Sequence, residues 1–142
     1  MSFKQDNKVS ILQSLPVNNM KLDYYSIEEF ENIYLEDSYV LQIRTNSNSA
    51  EFLLEVVLTE NHPLYNPPKQ NEQYCYKKAE LSFPTVTEII WVEVNIIPSK
   101  DANGEVDFGN IDLFFYNDQY YELCGDWGEL KIQSAKPTIR FI

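Results

Sequence analysis

The 142-residue chain has little of what most active sites are made from. It holds one histidine, His62, and two cysteines, Cys75 and Cys124, which stand far apart with no C-x-x-C spacing. A zinc site needs more nitrogen and sulfur ligands than these. Nothing around His62 or Cys75 resembles a nucleophile elbow or a papain-like motif. His62, beside Pro63, reads as a residue that orders its loop, and no catalytic, metal or cofactor residue is expected. The cysteines read as two buried free thiols in a reducing cytosol, with one disulfide as the other option.

Glycine is scarce, at four residues, which excludes collagen-like and glycine-rich linker sequence. No apolar run approaches the length that crosses a bilayer as a helix. The first fifteen residues, MSFKQDNKVSILQSL, are too polar for a signal peptide. Positive charge is also short: 11 Lys and Arg stand against 22 Asp and Glu, a net charge of −11. That balance repels phosphate backbones and anionic membranes, so neither nucleic acid nor membrane is the expected partner. A basic protein or a cation suits it better, and solubility alone is the plain alternative. A cytoplasmic location is expected.

What the chain has is hydrophobic and aromatic weight. Hydrophobic residues make up 44% and aromatics 14%, with ten Tyr and eight Phe, enough for a core and suited to pleated surfaces. One domain over residues 1–142 is expected. Val9, Ile11, Leu12 and Leu15 suggest a short strand or a helical turn ended by Pro16. Ser26 and Glu29 match a capping box, and Ile27, Phe30 and Tyr34 follow helical spacing, which predicts a short helix from Ile27 to Leu35, although Phe30 to Leu35 equally suits the start of a strand.

Strand signals dominate from there. Tyr39–Arg44, a polar turn at Asn46–Ser49 and Phe52–Thr59 predict a hairpin, with the second strand central. His62–Pro68 contains three prolines and is a loop. Tyr74–Phe83 resumes a strand. Glu88–Ile97 reads as the longest one, with Ile90, Val92, Val94 and Ile96 on one face and Trp91, Glu93 and Asn95 on the other. Residues 108–134 read as a meander: Ile111, Leu113 and Phe115 alternate with Asp112, Phe114 and Tyr116, Asn117-Asp118 reverses the chain, and Gly125–Gly128 reverses it again. Thr138–Ile142 suggests a terminal strand. The sum predicts a mostly-β fold, an antiparallel sandwich or partly closed barrel of about eight strands with at most one short helix.

Between Asp101 and Leu130 stand eight carboxylates and no Lys or Arg. Neighbouring strands would gather several of them on one face, where a cation or a basic surface would relieve their repulsion. Asp101, Asn103, Glu105 and Asp107 recur at every second residue, superficially like a calcium loop. Gly104 falls at the fourth position and Asp112 at the twelfth, where a calcium loop has Gly at the sixth and Glu at the twelfth, so Asn103-Gly104 reads as a hairpin turn. Trp127, Tyr65, Tyr74, Tyr76, Tyr120 and Tyr121 have polar-tipped rings suited to interfaces or sugars. Trp127, between a tight turn's glycines, equally suits a plug on the core.

The segments HPLYNPP, EQYCY and YELCGDWGELKIQS resemble small bacterial proteins of the domain-of-unknown-function type. That resemblance implies no activity. In size and charge alone the chain is also similar to the immunity proteins that accompany polymorphic toxins. The resulting expectation is an acidic, non-catalytic interaction module for a basic protein partner, with an immunity-type inhibitor as its most specific form. Its expected docking residues are Asp107, Asp112, Asp126, Trp127 and Glu129, with Tyr65 as a second anchor. The alternative is a small-ligand or carbohydrate-binding sandwich that uses Trp127 and the tyrosines as a platform. An enzyme using paired carboxylates ranks last.

Overall fold

The computed structural model describes residues 21–102 and 104–142. The candidate element around Val9–Leu15 and the Asn103 half of the Asn-Gly turn lie outside the described residues. Eleven strands run through the described chain: β1 (Leu22–Asp23), β2 (Ile33–Thr45), β3 (Ala50–Leu58), β4 (Cys75–Phe83), β5 (Glu88–Val94), β6 (Ser99–Lys100), β7 (Val106–Asp107), β8 (Ile111–Asn117), β9 (Tyr120–Gly125), β10 (Gly128–Gln133) and β11 (Thr138–Phe141). Three of them have only two residues, which leaves eight of substance. A five-stranded sheet runs β1-β8-β9-β10-β5 and a four-stranded sheet runs β11-β4-β3-β2, while β6 and β7 pair by themselves. All pairings are antiparallel and the sheets do not close into a barrel. The fold is a β-sandwich.

The core lies between the inner faces. Phe52, Leu54, Val56 and Leu58 of β3 point into it, as do Ala79, Leu81 and Phe83 of β4. From the five-stranded sheet come Phe114, Tyr121, Leu123, Leu130 and Ile132. Rings meet across the gap: Phe83 lies 5.7 Å from Phe114 and Phe52 lies 5.4 Å from Trp127. Edge-to-face pairs of this kind add to the stabilisation from burial itself. β3 is an inner strand of its sheet, as its pattern predicts.

The predicted helix over 27–35 does not form. Two single 3-10 turns, Tyr24–Ser26 and Glu28–Phe30, take its place, and β2 begins at Ile33. No side chain caps either turn, so the Ser26/Glu29 box is not made. Phe30 is buried in the core, and Asn32 turns the chain with φ 62°, a conformation that asparagine tolerates and a helix cannot contain. From Ile33 the alternation of Ile33 and Leu35 decides for a strand.

Irregularities in three strand pairs shift which side chains face the core, and β2 has two of them, the second between Val40 and Gln42. β2 carries a bulge between Tyr34 and Tyr39, filled by Ser38, whose hydroxyl donates to the Tyr34 carbonyl (2.7 Å) and accepts from the Val57 amide (2.9 Å). β8 carries one between Ile111 and Leu113, so that Ile111 and Phe114 are buried and Leu113 is exposed. This differs from the strict alternation expected there, because a bulge inserts a residue and flips the parity beyond it. The turn after β8 is centred on Asp118 and Gln119, one residue later than expected, with φ 50° and 75°. Those left-handed values suit the right-handed twist of a two-residue hairpin.

The third of these pairs is β5 with β10, irregular between Glu129 and Leu130. β5 has seven residues and is not the longest strand; β2, with thirteen, is. Ile89 and Trp91 are the side chains of β5 that pack on the core, and Ile90, Val92 and Val94 remain exposed. An indole offers more area to bury than any of the aliphatics, so the face bearing Trp91 goes inward. Gly128, with φ 132°, sits so close to the Glu93 carbonyl that any Cβ would collide with it. That contact holds β5 against the β9–β10 turn.

Candidate functional site

The segment from Asp107 to Asp112 joins the small β6–β7 hairpin to β8 and acts as a junction between the sheets. Phe108 donates its amide to the Val40 carbonyl (2.8 Å), and the Val40 amide donates to Gly109 (2.7 Å). The Asn110 side-chain amide donates to the Glu36 carbonyl (2.7 Å) and to Asp112 Oδ1 (3.0 Å). The Asn110 carbonyl in turn accepts the Trp127 Nε1–H at 3.0 Å. Trp127 is thereby fixed in the core at 0% exposure, against Phe52 and Trp91. Its expected role as a docking residue or stacking platform is corrected: the ring presents no face to a partner or a sugar.

The other expected site residues separate into groups. Asp126 is exposed on the β9–β10 turn and lies over Gly109, where a Cβ would collide with its carboxylate. Asp112 is exposed on the β8 bulge, and Glu129 is half-buried on β10. These three converge on Cys124. Asp107 does not join them, because its carboxylate accepts the Gly109 amide (2.8 Å) and acts on Glu55 of β3. Tyr65 is further removed. It is half-buried against the core in the proline loop, whose Asn66 amide points to Cys75 Sγ (3.4 Å). Cys75 pairs with Leu58, six residues along β3 from the Phe52 that Trp127 touches, on the order of 20 Å. Tyr65 therefore cannot serve as a second anchor of the same patch.

Glu93 of β5 is the residue that the sequence reading left out. It lies directly opposite Glu129 in the β5–β10 register, and Glu129 lies opposite Cys124 in the β10–β9 register. Like charges facing each other across strands are destabilising unless something neutralises them. Burial first, and then Glu129, Asp112, Glu93 and Asp126, push the Cys124 thiol above its ordinary value. Cys124 is half-buried where a buried thiol was expected, while Cys75 is buried, and both are free. A protonated thiol is a poor nucleophile.

An open hollow of ≈ 510 Å³ lies at this place, lined by Glu93, Asn95, Ile97, Ser99, Cys124 and Asp126. The Asn95 side chain donates to the Asp126 carbonyl (3.0 Å), tying the end of β5 to the turn. The side chains are mainly acceptors and carry negative charge. Among the described residues, the ion pairs involve Glu29, Glu51 and Glu80, all away from this quartet. Also among the described residues, no group of three or more His, Cys, Asp or Glu side chains is arranged to hold a metal ion. In the β6–β7 turn, Asp101 Oδ1 accepts the Glu105 amide at 2.9 Å, which is the hairpin geometry expected there. His62 orders its loop: Nδ1 accepts the Leu64 amide (3.1 Å) and the ring lies 5.1 Å from Phe141.

No family model matches the chain, and neither a curated protein nor a solved structure matches it.

Proposed function

We propose that the protein is a non-catalytic interaction module that docks a basic protein on the outer face of its five-stranded sheet. The observation that carries this reading is the quartet Glu93, Asp112, Asp126 and Glu129 around Cys124, with Glu93 and Glu129 opposed across neighbouring strands. A surface of this kind stores repulsion that an arriving Lys or Arg relieves, and the net charge of −11 steers such a partner toward it. An inhibitor of the immunity type is the most specific form this reading takes. The aromatic-platform alternative loses the ring it depended on, since Trp127 is enclosed.

The test is affinity capture of cytosolic proteins at low salt on the wild-type chain and on D126K/E129K, eluted with rising salt. Wild type is expected to retain basic proteins that salt releases, and the double variant to lose them, because rim charges govern association and its salt dependence. Equal recovery on both would sink the assignment of this surface.

A further inference from the structure

The free edges of the two sheets are not alike. A sheet edge carries unpaired N–H and C=O groups, and proteins blunt it with Lys, Pro, very short strands or a covering segment. Among the described residues, three edges have such protection. β1 has two residues and follows Lys21. β11 carries Arg140, paired with Glu80, and follows Pro137. β2 is clasped at Val40 by Phe108 and Gly109. Among the described residues β5 pairs only with β10, and its seven residues include no Lys, Arg or Pro; the one irregularity of this edge is the bulge at Val92.

β5 is also apolar where it meets solvent. Val92 is 54% exposed, Val94 63% and, just beyond, Ile97 68%. Exposed aliphatics along an open edge suit a place where another chain is received. Their surroundings are acidic, with Glu88 and Glu93 on the strand and Glu129 and Asp126 beside it. A second copy of the chain would bring an equally acidic strand, with its own Glu88 and Glu93, to this edge, under a charge of −11 on each copy. That arrangement is repulsive.

We propose that β5 receives an extended segment of the basic partner, which adds a sixth strand to the five-stranded sheet. This rests on the docking reading above and supplies its recognition mode. The segment alternates Lys or Arg on the outer face, which reach Glu93 and Glu129 beside the bulged Val92, with apolar side chains on the opposite face, which cover Val94. Main-chain pairing along about 23 Å of β5 supplies affinity, and the alternation supplies specificity.

The probe is a fluorescent peptide of about eight alternating lysines and valines, long enough to cover a strand of this size. It is titrated with the full chain and followed by anisotropy. Binding is expected to weaken as salt rises. It is also expected to fall by about tenfold or more when alternate backbone amides of the peptide are N-methylated, a change that removes strand donors and keeps the charge. V92S/V94S, at exposed positions and neutral in charge, is expected to weaken the parent peptide, and D126K/E129K to flatten its salt dependence. Equal binding of the methylated and parent peptides would overturn the edge proposal and leave the acidic docking surface standing, since charge alone would then suffice. Binding of neither peptide would overturn both. A dimer of the chain at the same concentration that V92S/V94S disperses would give the edge to a second copy and overturn the proposal.

Discussion

Burial and the carboxylates of Glu129, Asp112, Glu93 and Asp126 raise the Cys124 thiol, so a chemical probe of that one sulfur reads the whole quartet. Alkylation by iodoacetamide at mild alkaline pH is expected to be slow at Cys124 and slower still at the buried Cys75. Glu129→Gln removes the strongest of the nearby charges and is expected to speed the reaction at Cys124 by several-fold, because it raises the thiolate fraction. Mass spectrometry of the alkylated chain checks this, and an unchanged rate would mean that Glu129 does not face the thiol. Asp126 and Glu129 stand out in the sequence as part of a run without Lys or Arg. Glu93 does not, because it lies outside that run and meets Glu129 only through the pairing of β5 with β10.

The strands show where period-two reading succeeds and where it stops. β10 alternates throughout, β9 from Tyr120 to Cys124 and β3 from Ala50 to Val56, and their buried residues there follow directly from the pattern. β2 and β8 contain bulges, which no apolar alternation announces. Ser38 shows how the β2 bulge is held: its hydroxyl serves both the Tyr34 carbonyl and the Val57 amide while almost fully buried. Ser38→Ala is expected to leave both groups without that partner and to lower stability by about 1–3 kcal/mol. Urea unfolding checks it, and a loss well below that range would mean water replaces the hydroxyl. β5 is the harder case, because it offers an aliphatic face and an aromatic one. Either could have gone inward, and the position of Trp127 beneath Trp91 decides between them.

The molecule as a whole carries ten tyrosines, and several resist ionisation. Burial first, then Tyr39 and Asp37, push Tyr76 up to about 12 from an ordinary value of 10.0. Burial also raises Tyr24 and Tyr121. The folded chain therefore keeps protons that the unfolded chain has given up once the pH passes the ordinary value. Stability from these groups is fully present below about pH 10 and is lost as the pH rises through the folded values. Thermal unfolding from pH 8 to 12 is expected to show a melting temperature that declines only above about pH 10, together with a delayed tyrosinate absorbance. A decline complete before pH 10 would point to other groups. The acidic balance acts at the same level, since −11 charges repel one another across the molecule and favour a partner of opposite sign.

Composition and periodicity alone determined that this chain is one of strands with an aromatic core, that its surface is acidic, and that tight turns stand near Gly104, Asp118 and Gly125–Gly128. Each of these follows from local chemistry: side-chain shape, charge count and backbone preference act within a few residues of one another. The tertiary structure decided the rest. It replaced the expected helix over Ile27–Leu35 with a 3-10 turn and the start of β2, because Phe30 and Leu35 are anchored in the core. It enclosed Trp127, because the Asn110 carbonyl waits for its N–H seventeen residues earlier in the chain. It set Glu93 against Glu129 and left the outer edge of β5 uncovered among the described residues. Those outcomes depend on which strands become neighbours, and that choice belongs to the packing of the whole chain.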